Sequence, residues 1–406
     1  MTVDVAVIGG GPAGSVCAAR LAQHGRSVVV LERDHHPRFH LGESLLPGSM
    51  GVLDAVGVLP AVRQRFLVKR GARFVDGDDD TKAVRYAFAD AFHPTWDHAF
   101  EVPRDEFDEM LFRRAGASGA DLREGWEATR VVFEGGRARG VEARGPDGAM
   151  ETFGARLVVD ASGRDAMMAH GAEGTERIAH LERTALFTQV FGAWRDEGER
   201  EGDIQIVVMA ANERAWFWLI PFADGRTSVG VVVSAAWMRA RRKLRGPEAL
   251  FDAALAQCPT VVRMLAGATR LFPPRATADF SFRVRAMRGP GWLATGDATG
   301  FIDPLFSTGA HLAMYGGFLA ADAIHASLDA GGATEGFDAW ERELRLGLDL
   351  YVGAVQAFYE GDLTTHLFAQ PQHPFLRRAI TSMLSGDVFG DSSWSRAVRD
   401  RYPART

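Results

Sequence analysis

Cysteine is nearly absent, with two in 406 residues. That excludes a disulfide framework, and because Cys17 and Cys258 lack any metal-ligand spacing, a thiolate metal site is excluded with it. Both read as reduced core residues. A long hydrophobic run is also missing: no apolar stretch approaches the length that crosses a bilayer, so no membrane association is expected. Neither sign of charge dominates. The 46 Lys and Arg against 52 Asp and Glu leave a net charge of −6 with the signs interspersed, which removes a nucleic-acid surface from the readings. There is no internal repeat, low-complexity tract or long linker. A glycine cluster begins nine residues from the start, too early for a signal peptide, so the expected location is the cytoplasm.

What is present is an ordinary globular composition, 47% hydrophobic and 24% charged, long enough for one large core or two joined ones. The stretch from Val3 to Arg33, VDVAVIGGGPAGSVCAARLAQHGRSVVVLER, predicts a strand, a glycine turn, a helix and a second parallel strand ending in an acid. Gly9 permits the tight turn, Gly11 lets the backbone approach a pyrophosphate, and Gly14 lets the helix lie close on the sheet. Glu32 then sits where a carboxylate can accept hydrogen bonds from an adenosine ribose. A dinucleotide cofactor is the expected ligand.

The following loop carries His35, His36 and His40. Without an HExxH motif or paired cysteines these read as loop histidines, and no metal is expected. Gly42, Glu43 and Ser44 come next, ahead of a short helix broken at Gly57 and Pro60. Residues Phe66 to Phe100 alternate like strands joined by the polar turn Asp76 to Thr81. Val102 to Arg114 returns to helical spacing, with Phe107, Met110 and Leu111 on one face and Arg104 at its start. Leu157 to Val159 make a buried strand ending in the turn Asp160 to Gly163, at the carboxyl end where open parallel sheets bind ligands. Residues 184–234 alternate again. Trp237 to Leu265 read as helical, Ala278 to Phe282 and Gly291 to Thr295 as strands, and Ala310 to Leu328 as a helix entered from a Gly-rich loop. From Phe337 onward the pattern is mostly helical.

Four separated signals therefore occur in order: GGGPAG with Glu32, Arg104 opening a helix, DASG at 160–163, and Gly296–Asp297 with Pro304 beyond. Together, over most of the chain, they resemble the flavoprotein monooxygenase superfamily with the p-hydroxybenzoate hydroxylase-like fold. The resemblance implies an α/β protein in which a Rossmann-like FAD-binding domain (1–65, 101–183 and 276–335) is interleaved with a β-sheet substrate domain (66–100 and 184–275), followed by C-terminal helices (336–406). It implies that FAD is held by Gly9, Gly11, Pro12, Ala13, Gly14, Glu32, Arg33, Ser44, Arg104, Asp160, Gly163, Gly296 and Asp297. Arg104 would lie near the flavin, and Asp297 would hydrogen-bond the ribityl or pyrophosphate portion.

Within that superfamily the chain resembles the flavin-dependent halogenases. WFWLIP at 216–221 matches their WxWxIP motif, and FLVKRGARF places Lys69 where they carry an essential lysine. DPLFSTG at 303–309 matches the loop that seats the halide, and GESLLPG at 42–48 has the form typical of the family. The resemblance implies that FADH2, O2 and chloride or bromide yield hypohalous acid, which Lys69 delivers to an electron-rich ring. Ser307, Thr308 and Gly309 would seat the halide, and Trp216, Trp218 and Phe306 would line the substrate tunnel. It further implies a separate flavin reductase as partner, and a small aromatic substrate of natural-product biosynthesis, free or tethered to an acyl or peptidyl carrier protein.

The physical chemistry of these residue types agrees. A halide has no shape to recognise, so it needs backbone amides pointing into a concavity, as a loop entering a helix supplies. A lysine that handles hypohalous acid must be drawn partly out of water. One departure is informative: Phe306 stands where the tryptophan-halogenating branch has a Glu, which favours an activated phenol or pyrrole over free tryptophan. The alternative reading is an aromatic hydroxylase or dehydrogenase of the same scaffold that uses NAD(P)H.

Overall fold

The computed structural model describes residues 2–169, 174–178, 180–209, 215–278, 281–331 and 335–405. Its first layer is a sheet in which Trp292–Ala294, Met150–Asp160, Thr2–Ile8, Val28–Glu32 and Asp121–Glu124 lie side by side and parallel. The inner strands are Val-rich runs; Val28–Glu32 is buried at every position, as expected for a parallel strand covered on both faces. Register brings Ile8 opposite both Leu31 and Asp160, so the strand ends that carry the glycine turn, Glu32 and the DASG turn converge on one edge.

The helices Pro12–Gln23, Arg104–Ala117 and Thr308–Asp329 cover one face. Their close approach depends on small residues: a Cβ on Gly14 would stand 2.0 Å from Gly9 O, and one on Gly317 would stand 2.3 Å from Ala13 O. On the opposite face the antiparallel hairpin Glu127–Glu134 and Arg137–Arg144 folds back so that Val141 and Ala143 pack with Ala6, Ile8 and Val29.

The second sheet has the order Thr269–Arg270, Arg183–Phe191, Arg226–Ser234, Ala215–Pro221, Ile204–Met209, Gly71–Asp76 and Ala83–Ala87, with Arg275–Ala278 also paired to Arg183–Phe191. Every pairing is antiparallel except that of Ile204–Met209 with Gly71–Asp76. The period of a strand sorts the WFWLIP segment: Trp216, Trp218 and Ile220 join the main core, while Phe217 and Leu219 pack on the other side with Trp237 and Phe251. Gly230 seats Trp218, because a Cβ there would stand 2.2 Å from the indole.

Four helices close the chain, Glu335–Glu360, Asp362–Phe368, Pro374–Leu384 and Ser393–Arg401. Tyr351, Phe358, Leu367 and Met383 share one core with Phe74, Tyr86 and Trp216, so these helices are built into the body. The stretch read as one helical pattern, Trp237 to Leu265, is three helices, Ala235–Ala240, Gly246–Leu255 and Pro259–Met264. Gly246, at φ +82, and Pro259 start two of them and break the run. Of the strand expected at Ala278 to Phe282, residues 279 and 280 lie outside the described residues; Ala278 ends one strand and Phe282 begins another. Both cysteines are buried and free.

Candidate active site

A cavity of about 960 Å³ runs from the glycine turn of the first sheet to the inner face of the second. At the end beside the glycine turn lie Gly9, Gly11, Pro12, Ala13, Glu32, Arg33 and Gly163. Gly9 needs its φ of +99° and its missing side chain, since a Cβ would stand 2.3 Å from Ala161 O. Gly11 is different: it lines the cavity at an ordinary φ of −73°, and a Cβ would meet nothing nearer than Arg38 Nη2 at 3.5 Å. Packing does not require glycine there. Behind the turn starts the helix Pro12–Gln23, whose first two residues line the same cavity.

Glu32 is buried and accepts from Gly10 N at 2.7 Å and Asp34 N at 2.9 Å, which fixes the carboxylate at the end of its strand. Arg33 is exposed and paired with Asp165 at 2.5 Å. Asp160 is buried and spends its oxygens on Ser162 N, Ser162 Oγ and Met168 N; it shapes the turn that presents Gly163. Gly14 and Gly296 do not line the cavity; a Cβ on Gly296 would stand 2.7 Å from Ala13 Cβ, so both let backbone elements close up.

Asp297 and Arg104 face the middle of the cavity. Burial raises the Asp297 pKa to about 6, against the pull of Arg104 and Arg164. Arg104 is clamped by Asp108 at 2.7 and 3.0 Å and donates to Leu41 O at 2.7 Å and Gly42 O at 3.2 Å. It therefore anchors the loop that carries Glu43 and Ser44. Glu43 is a buried wall residue, held by Ser228 Oγ at 2.8 Å and Gln189 Nε2 at 3.3 Å. Burial pushes its carboxyl up to about 7, although both donors oppose the shift.

Beyond these residues Trp216 and Trp218 form the wall. Each indole N–H is engaged, Trp216 with Tyr359 Oη at 2.9 Å and Trp218 with Ser228 Oγ at 3.2 Å. Ser307, Thr308 and Gly309 also line the cavity, at the start of the 22-residue helix Thr308–Asp329. Ser307, at φ +58°, makes no side-chain cap bond, so the first amides of that helix are open to an anion. Asp303 holds the loop from behind, accepting from Leu305 N at 3.0 Å and Tyr359 Oη at 2.9 Å. Phe306, expected beside Trp216 and Trp218 in the tunnel wall, does not line the cavity: it is 1% exposed and packed in the core. Lys69 is likewise 1% exposed, and its Nζ donates to Ser44 Oγ at 2.8 Å and Leu45 O at 3.0 Å. Burial lowers its pKa, while the Glu101 and Asp203 charges work the other way. Ser44, and not Lys69, is part of the wall.

A turn that leaves room for phosphates, an acid at the second strand end and an open helix terminus beyond Asp297 together fit a flavin dinucleotide. Comparison with known families agrees: the FAD binding domain family matches residues 2–347. A tryptophan 2-halogenase of Chondromyces crocatus is 33% identical over 355 residues, which is 82% of this chain and 64% of that protein. The chain belongs to the flavin-dependent halogenases. A 1H-pyrrole-2-carbonyl-[peptidyl-carrier protein] brominase of Pseudoalteromonas luteoviolacea is 29% identical over 397 residues, covering 96% of this chain and 93% of its own length. Among solved structures, the flavin-dependent brominase Bmp2 superposes with a TM-score of 0.88 at 26% identity, over 99% of this chain and 98% of that one. The chain thus spans just under two thirds of the first relative and nearly all of the second.

Sequence reasoning did not single out Arg38, Asp108 or Tyr359, and it named Glu43 only as a member of its loop, without a role. Arg38 lines the cavity and lies 3.6 Å from Asp108 and 3.8 Å from Glu32. Glu43 stands inside GESLLPG, and its role could have been found by asking why an acid occupies an otherwise apolar motif. Asp108 is four residues after Arg104 on one helix face. Nothing local announces Tyr359. Among the described residues no cluster of His, Cys, Asp and Glu could hold a metal ion, and no helix is long and apolar enough to cross a membrane.

Proposed function

We propose that this chain halogenates an electron-rich phenol or pyrrole, free or carried on an acyl or peptidyl carrier protein, with Lys69 as the residue that makes the halogen reactive toward the ring. The observation that carries the reading is the single cavity joining Gly11 to Trp216, Trp218 and the Ser307–Gly309 helix start, with Lys69 one hydrogen bond behind its wall. When bound, reduced FAD supplies with O2 the oxidising equivalent that converts halide to hypohalous acid. The remaining work falls to the chain. The Thr308 and Gly309 amides hold the halide at the positive end of a long helix. Trp216 and Trp218, pinned through their N–H groups, keep the passage apolar, so that hypohalous acid meets the ring before it meets water. Arg104 fixes the loop that places Ser44 over Lys69.

The carrier-tethered form is supported by the name of the Pseudoalteromonas relative. The preference for a phenol or pyrrole over tryptophan rests on Phe306, against the name of the Chondromyces relative. A separate reductase supplying FADH2, a cytoplasmic setting, and the division into interleaved FAD and substrate domains belong to the same proposal. The test is mass spectrometry of reactions with FAD, a flavin reductase, NADH and bromide or chloride, offering phenols and pyrroles both free and carrier-bound. A halogenated product from one class identifies the substrate form. A halide-independent product heavier by one oxygen would replace the proposal with a hydroxylase.

A further inference from the structure

Lys69 is the group the proposed reaction needs, yet its ammonium is engaged inside the protein. Ser44 Oγ and Leu45 O accept two of its protons, and the Phe88 ring covers Nζ on another side with its centroid 5.2 Å away. Ser44 spans the gap to the cavity, which it lines. Its hydroxyl lies 2.8 Å from Lys69 Nζ and donates to Glu101 Oε1 at 3.1 Å. Glu101 is wholly buried, and its Oε2 has no hydrogen-bond partner among the described residues. The three are held by backbone pairing: Lys69 lies opposite Ala99 and Leu67 opposite Glu101 in a two-stranded sheet, and Ser44 bridges Glu101. A lysine, a hydroxyl and an acid are thus fixed in line, with only the hydroxyl facing the cavity.

Building on the halogenase reading above, we infer that Ser44 is a catalytic residue that touches the halogenating species and relays a proton to it from Lys69, and that Glu101 is a positioning residue that holds the Ser44 hydroxyl and keeps Lys69 charged. The step balances. Hypohalous acid, HO–X, gives X to a ring carbon: the C–X bond forms from the ring's π pair, the O–X bond breaks, and the oxygen keeps that bond's electrons. The Ser44 hydroxyl turns from Glu101 to the cavity and donates its proton to this oxygen, giving water, and takes a proton from Lys69 Nζ. The ring then loses its proton as aromaticity returns, and that proton restores Lys69 through the same hydroxyl. Hypohalous acid and arene become haloarene and water, with no external acid or base. Burial raises the Glu101 pKa to about 8 and lowers that of Lys69, and the charge Glu101 gains above that value opposes loss of the Lys69 proton. The other charges acting on the pair are Asp203 and Glu43.

The test compares Ser44→Ala, Ser44→Thr and Glu101→Gln with wild type and Lys69→Ala. It reads ring-halogenated product, halogen captured by a diffusible β-diketone scavenger, FAD affinity and the pH profile of ring halogenation. Ser44→Ala is expected to lower ring product per captured halogen by about 100-fold, and Ser44→Thr, which keeps a hydroxyl, to recover most of it. Glu101→Gln removes the counter-charge, so the alkaline limb, where Lys69 loses its proton, moves to lower pH. Ring halogenation by Ser44→Ala at the wild-type ratio, with Lys69→Ala inactive, would show that Lys69 acts directly and overturn the inference. Should Ser44→Ala fail to bind FAD, Glu101→Gln decides, and an unmoved alkaline limb overturns it. If wild type yields neither ring product nor captured halogen, the halogenase reading itself has failed, an outcome separate from these.

Discussion

Trp216 donates its indole N–H to the Tyr359 hydroxyl at 2.9 Å across 143 residues of sequence. The same hydroxyl reaches Asp303 at 2.9 Å, so one phenol ties the cavity wall to the loop that leads into Ser307–Gly309. Burial pushes the Asp303 carboxyl up to about 6, and the Tyr359 bond works against that shift.

Tyr359→Phe removes both bonds at once and leaves a buried indole N–H and a buried carboxylate oxygen each one partner short. The expected cost is about 1–3 kcal/mol for each group, read as a fall in Tm, together with weaker dependence of product formation on halide. A variant with wild-type Tm and unchanged halide saturation would show that the tie does not hold the loop.

Gly14 and Gly11 separate packing from binding. Gly14→Ala drives a Cβ to 2.0 Å from backbone oxygen, and the chain should lose solubility and folded signal. Gly11→Ala meets nothing closer than 3.5 Å; its Tm without cofactor should match wild type while its FAD dissociation constant rises at least tenfold, about 1.4 kcal/mol. Equal FAD affinity in Gly11→Ala would place the pyrophosphate elsewhere.

Glu43 makes stability fall with rising pH. Its carboxyl is raised from 4.5 to about 7 by burial, so between those values the folded chain holds a proton that the unfolded chain has released. Stability from this group is fullest below about pH 4.5, declines through that window and is lost above pH 7. Glu43→Gln should therefore raise Tm relative to wild type at pH 8 and not at pH 4.5. The same Tm difference at both values would mean the carboxyl does not titrate in this way.

Much of the site was legible because it is made of local geometry. Strand, glycine turn and helix at 2–23 follow from a Val-rich run and from glycines at 9 and 14 whose absent side chains the packing requires. The alternation of WFWLIP gave the two faces of its strand, since strand period alone sends Trp216 and Trp218 one way and Phe217 the other. What escaped was long-range. Glu43 meets Ser228 across 185 residues and Tyr359 meets Asp303 across 56, and no periodicity links such partners. The position of Lys69 escaped for the same reason: its motif marks the residue, while its depth behind Ser44 follows from pairing with Ala99–Glu101.

Lys69 carries the central claim, and the most direct measurement is the mass spectrum of a bromide reaction with wild type and Lys69→Ala side by side, each supplied with FAD, reductase, NADH and O2. Wild type should give a product with the bromine isotope doublet. Lys69→Ala should lose about 100-fold or more of that product, with FAD affinity and oxygen-dependent flavin reoxidation retained. Brominated product from Lys69→Ala at the wild-type rate would contradict that claim.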